Sequence, residues 1–187
     1  AALSQSEIGL ISASIAKDIA RIAKSGKITA KRIKQLEAKS DHDTAALVEA
    51  LAEKCNKESR PWIHYGLTSN DLVDTSNSMQ MRDAIKIIQP KVSKLSLILA
   101  KNAVKHQSVP AVGRTHGQHA SIISFGLKFA NWASEMSTHL ERLDEIKKRV
   151  LICKTLGVVG TGSLMGKNAL KVQERVAKKL SLYPAKV

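Results

Sequence analysis

The stretch FGLKFANWASEMSTHLERLDEIKKRV, residues 125–150, carries Phe125, Phe129, Trp132, Met136, Leu140, Leu143, Ile146 and Val150 at steps of three and four. That is the period of one face of an α-helix, so the stretch predicts a single long helix with an apolar seam. A seam of this length cannot stay in water and needs partner helices to cover it. The expected fold class is therefore all-α, built around long bundle helices.

The rest of the chain reads the same way. Four prolines and ten glycines in 187 residues, with Ala, Leu, Ile and Lys dominating, favour helix almost throughout. Ser12 can cap a helix running to about Ala23, the GK at 26–27 breaks it, and Thr29 can cap a second. A third begins near Asp41 or Asp43 and carries Ala46, Leu47, Ala50 and Leu51 on one face. TSNDLVDT, residues 68–75, offers Thr68 or Ser69 as N-cap, with Asp71 and Asp74 in the first turns where carboxylates suit the helix dipole. That helix is expected to reach Ile88. Pro90 fits the first turn of a successor, whose Val92, Leu95 and Leu99 keep helical spacing up to HQSVP at 106–110. A last helix is expected over Asn168–Leu180. The opening residues read as the tail of an apolar helical segment and the last as a stop just after a helix, so both ends read as cut.

Composition narrows the function classes. Thirty Lys and Arg against 16 Asp and Glu leave a formal charge of +14, which steers anionic partners toward the chain. The basic residues are scattered, the longest cluster being Lys147, Lys148 and Arg149. Aromatics make up only 3%, too few for base-stacking platforms, so nucleic acid is not the expected partner. The longest run free of Asp, Glu, Lys and Arg is Thr115–Leu127, shorter than the roughly 20 apolar residues of a membrane span. Cys55 and Cys153 form no CxxC pair and read as core residues in a reducing, cytoplasmic compartment.

Chemistry concentrates in three histidine settings: SDHDT around His42, HYGLTSND around His64, and GRTHGQHA around His116. A metal reading would pair His116 with His119, but it lacks a third ligand, and no metal or cofactor is expected. An acid/base reading needs an imidazole near neutral pH, which a positive neighbour such as Arg114 or partial burial can tune. In that reading GRTHGQHA is a loop, in which Gly113 and Gly117 leave the flanks of Thr115 and His116 open to a substrate. Thr68 and Ser69 place two hydroxyls at the start of a long helix, where unpaired N–H groups suit a carboxylate or phosphate. An ordinary N-cap would explain them equally well. GVVGTGSLMGK, residues 157–167, does not meet the phosphate-loop spacing, because that pattern would require glycine at Thr161 and Ser or Thr at Asn168.

HYGLTSNDLVDT (64–75) and GRTHGQHASIISFGLKFANW (113–132) resemble the first two motif regions of the fumarase/aspartase superfamily, and within it most closely the adenylosuccinate lyase family. DHDTAALVEAL (41–51) is similar to an earlier histidine–aspartate segment of that family. The resemblance implies an N-terminal helical domain over 1–66, then the first part of a central long-helix bundle over 67–187, incomplete at both ends. It implies β-elimination of fumarate from a succinylated purine nucleotide, a small anionic substrate. His116 would be the general acid, and His42, Asp43, His64, Thr68, Ser69 and Thr115 would bind substrate. It also implies a homotetramer whose active sites are shared between subunits. The family's third region, a Ser-x-x-Met-Pro-x-Lys loop bearing the base, has no counterpart here, so the 187 residues by themselves are expected to be inactive. Asp41 stands where the family often has a basic or amide residue, and Ser121-Ile122-Ile123 where it often has proline. A superfamily lyase with another substrate, or a silent basic helical scaffold that binds nucleic acid, are the competing expectations.

Overall fold

The computed structural model describes residues 1–186. Helices account for 67% of it, in agreement with the all-α expectation. The chain forms two compact units, one made of Ala1–Gln80 with the segment from Leu151 on, the other of Met81–Val150.

The first unit opens with four short helices, α1 (Ala2–Ser6), α2 (Ala13–Ala23), α3 (Ala30–Ser40) and α4 (Asp43–Ala52), and the first three are followed by a residue of positive φ, Gly9, Gly26 and Asp41. Ser12 Oγ accepts the Ile15 N–H and Thr29 Oγ1 accepts the Arg32 N–H, so both hydroxyls cap as expected. The cap of α4 is His42, whose Nδ1 accepts the Ala45 N–H at 3.3 Å. Ile19, Ile22, Cys55 and Ile63 form one buried cluster, and Leu36, Ala46 and Ala50 a second between α3 and α4. Of the face expected on α4, Ala46 and Ala50 are buried while Leu47 is exposed. A 3₁₀ segment (Lys57–Trp62) leads to the turn at 63–68 and the start of α5 (Ser69–Lys105).

From Leu151 on, the short strand β3 (Ile152–Cys153) pairs in parallel with β4 (Tyr183–Pro184), joined through a second 3₁₀ segment (Ser163–Asn168) and α7 (Ala169–Leu180). Buried Gln173 fastens this end: its Oε1 accepts the Thr155 N–H and its Nε2 donates to the Ala185 carbonyl. Cys55 and Cys153 are free and buried, as core residues should be.

The second unit holds most of α5, a hairpin of β1 (Pro110–Thr115) and β2 (Gln118–Ser124), and α6 (Phe125–Val150). The apolar seam over 125–150 lies on one uninterrupted helix. His106, Phe125, Phe129 and Trp132 pack ring against ring near its start, with successive centroids 5.3–5.8 Å apart.

Two expectations change. A break before Pro90 is absent: α5 runs for 37 residues with Pro90 inside it. An internal proline costs a helix roughly 3 kcal/mol, but here the neighbouring residue is held from outside. Gln89 donates to Asp144 and accepts from Lys147 of α6, with bonds of 3.0 and 2.8 Å, while the proline ring itself is exposed. The second change is GRTHGQHA, read as a loop and found as an antiparallel hairpin. Its two-residue turn, His116-Gly117, has φ of 52° and 73°, the pair of positive values that matches the twist of a tight hairpin.

Candidate active site

The residues singled out in the sequence fall into two groups, one in each unit. In the first, the turn before α5 is fixed by its backbone. His64 and Gly66 both have positive φ, 66° and 73°. A side chain at Gly66 would meet Met165 Cγ at 2.9 Å, so glycine is required there twice over, by conformation and by space. Gln5 donates to the Tyr65 carbonyl and Tyr65 donates to the Leu164 carbonyl, clamping the turn from both sides.

His64 is half-buried and its Nε2 is buried with no hydrogen-bond partner. Burial pushes its pKa below the ordinary histidine value, outweighing the opposite pull of the Thr68 main chain and the Asp71 charge. The imidazole of His42 lies near enough to add to that lowering. His42 itself is half exposed, with Asp43 Oδ1 3.5 Å from its Nδ1. His64 lines an apolar cavity of about 360 Å³ together with Leu47, Leu51, Trp62 and Leu67. Thr68 lines a different, more polar cavity of about 580 Å³, with Asn70, Asp71, Lys154, Gly157 and Lys186. His64 and Thr68 are thus neighbours in sequence that face separate cavities.

At the start of α5 the cap is not a hydroxyl. Asp71, only 4% exposed, accepts through Oδ2 both the Thr68 N–H at 3.1 Å and the Gly157 N–H at 2.9 Å. Neither the Thr68 nor the Ser69 hydroxyl has a hydrogen-bond partner among the described residues, and both are half-buried. Two uncommitted hydroxyls therefore stand at the positive end of a long helix, a setting that suits an anionic ligand. Nearby Lys154 is paired with Asp74 at 2.7 Å, which raises its pKa.

The second group sits on the hairpin. Thr115 pairs with Gln118 across the turn, and His116 occupies the tip, exposed and without a hydrogen-bond partner among the described residues. Holding a non-glycine residue in the left-handed region costs on the order of 1 kcal/mol. Arg114 engages His119 and makes no bond to His116. Its guanidinium lies 3.2 Å from His119 Nε2, since the strand register sets Arg114 opposite His119. An arginine cannot accept, so Nε2 is the acceptor in that contact.

Two participants were missed in the sequence: Asp71, read only as a favourable charge, and Gly157, read only as part of a glycine-rich turn. A Thr-x-x-Asp spacing at 68–71 is a capping signature that could have flagged the first. Nothing local could have flagged the second.

A family model described as Lyase matches residues 1–186. The chain belongs to this lyase family, within the fumarase/aspartase superfamily. Among lyases of the family, the adenylosuccinate lyase of Methanocaldococcus jannaschii is 43% identical over 183 residues, covering 98% of this chain and 40% of that protein. The adenylosuccinate lyase of Methanothermobacter thermautotrophicus is 41% identical over 186 residues, covering 98% and 41%. The solved fumarate lyase of Mesorhizobium sp. BNC1 superposes with a TM-score of 0.92 at 31% identity, over 100% of this chain and 44% of its own. The chain thus spans about two fifths of the length of the lyases it matches.

Proposed function

We propose that this chain forms the N-terminal and early central part of an adenylosuccinate lyase, which eliminates fumarate from adenylosuccinate, releasing AMP, and from the succinylated carboxamide intermediate of purine synthesis. In the reaction a base takes the proton from the succinyl Cβ, that electron pair forms the C=C bond of fumarate, and the C–N bond breaks. The departing nitrogen takes a proton from His116. General acid help of this kind is worth about 10² to 10⁴ in rate. The observation that carries the assignment is the contrast on the hairpin: His116 is exposed at the tip with no partner, while His119 is engaged by Arg114.

Thr68 and Ser69 hold the succinyl carboxylate on which charge grows as the proton leaves, and the start of α5 adds its dipole. His42, Asp43, His64 and Thr115 contact other parts of the substrate, with the His64 pKa lowered by its burial. The exposed apolar side chains of the second unit support a homotetramer with shared active sites: Leu97 is 61% and Trp132 50% exposed, and other subunits would cover them. Two free, buried cysteines suit a cytoplasmic location. Among the described residues no helix is long and apolar enough to cross a membrane.

The test is His116→Gln against His119→Gln in the full-length enzyme, following fumarate release. Glutamine keeps polarity and bulk but delivers no proton, so the first change should lower kcat by about 10² or more with KM little altered. The second should cost less. Equal losses, reproduced by a chelator, would show a metal pair instead and overturn the assignment.

A further inference from the structure

Four α-helices among the described residues follow a Ser or Thr: Ser12, Thr29, Thr68 and Ser124, the last accepting the Gly126 N–H at 3.0 Å at the start of α6. At α2 and α3 the hydroxyl of Ser12 and of Thr29 folds over the helix end and accepts the N–H three residues on, at 3.4 and 3.2 Å. The residues three positions on are Ile15 and Arg32, neither of which can supply an acceptor. At α5 the residue three positions on is Asp71, and the pattern reverses. Its carboxylate reaches back to the Thr68 N–H, the Asp71 N–H bonds the Thr68 carbonyl at 3.0 Å, and the Thr68 hydroxyl makes no bond. The same oxygen, Oδ2, accepts the Gly157 N–H from a turn 86 residues away in sequence. That turn backs directly onto the one at Gly66: a side chain at Gly157 would meet the Gly66 carbonyl oxygen at 3.2 Å. Asp71 therefore fixes the Thr68 backbone and one wall of the polar cavity at once.

We infer that Asp71 is a positioning residue of this site: by accepting the Thr68 and Gly157 N–H groups at one oxygen, it fixes the Thr68 backbone against the wall of the polar cavity and so sets the place from which the Thr68 hydroxyl meets a substrate carboxylate. The inference rests on the proposed role of Thr68. Without the carboxylate, the Thr68 and Gly157 N–H groups lose the acceptor they share, and the Thr68 hydroxyl loses the anchor of its own backbone. Asp71 would then act on substrate only through Thr68, and its removal would cost nothing further once that hydroxyl is gone.

A double-mutant cycle in the full-length enzyme tests this, with kcat and KM for adenylosuccinate read from fumarate release. Thr68→Ala and Asp71→Ala should each lower kcat/KM by about tenfold or more. The double variant should be no worse than the more impaired single variant, to within about threefold, because both remove one contact. Asp71→Asn, whose amide oxygen can take the place of Oδ2, should recover most of what Asp71→Ala loses. Losses that multiply in the double variant, or an Asp71→Asn protein that is folded yet as impaired as Asp71→Ala, would overturn the inference while leaving Thr68 as a substrate ligand. An unimpaired Thr68→Ala would overturn the role of Thr68 and the inference with it. If Asp71→Ala does not accumulate as folded protein, Asp71→Ser, too short to reach Thr68 and Gly157 together, takes its place in the cycle with the same expected and refuting outcomes.

Discussion

Replacing Gly66 with alanine separates two costs that the structure assigns to one position. Gly66 has φ of +73°, and a Cβ there would lie 2.9 Å from Met165 Cγ, 3.4 Å from Sδ and 3.5 Å from Cε. The conformation alone costs an alanine roughly 1–2 kcal/mol. Met165 is 3% exposed and cannot swing away freely, so the added methyl brings a further cost of about 1–3 kcal/mol from overpacking. Gly26 supplies the control in the same unit: its φ is +69°, yet nothing lies within 4 Å of a Cβ built on it. Gly26→Ala should therefore show the conformational cost alone, and Gly66→Ala should exceed it by about 1–3 kcal/mol. With a urea dependence of about 2 kcal/mol per molar, that difference moves the unfolding midpoint by about 0.5–1.5 M. In a Met165→Ala background the cost of Gly66→Ala should fall to that of Gly26→Ala. A cost that is unchanged in that background would refute the steric argument, and equal costs for the two glycines would show that Met165 yields without penalty.

Burial holds the His64 pKa below its unfolded value, so its contribution to stability is complete above an unfolded pKa of about 6.5 and is lost as pH falls from there through the folded pKa. Urea midpoints at pH 7.5 and 5.5 should accordingly differ more in the parent protein than in His64→Gln; an equal difference would mean that another group sets the acid sensitivity. Pro90→Ala restores an N–H to a helix that is already continuous and should raise stability by about 1–3 kcal/mol in thermal unfolding. A fall in the melting temperature would show that the ring is needed where it stands.

What the sequence determined by itself is whatever a few neighbouring residues decide among themselves. Ser12 and Thr29 cap because their acceptor atoms lie three residues from the N–H groups they serve, and α6 follows from a period that needs no knowledge of its partner. The similarity of residues 64–75 and 113–132 to a lyase family was legible for a related reason: a site that needs hydroxyls at a helix start and a histidine between glycines writes those residues side by side. Tertiary structure decided the rest. Pro90 reads as a helix boundary until Asp144 and Lys147 of α6 are seen to hold Gln89, and propensity yields to that outside support. GRTHGQHA reads as a loop because its strands are short and exposed, and only the register across the turn gives Arg114 to His119 and leaves His116 alone at the tip. Asp71 ties the Thr68 N–H to the Gly157 N–H, a partner 86 residues away from it. A hydrogen bond over that distance in sequence depends on the whole fold closing first, and no local pattern encodes which backbone N–H will arrive.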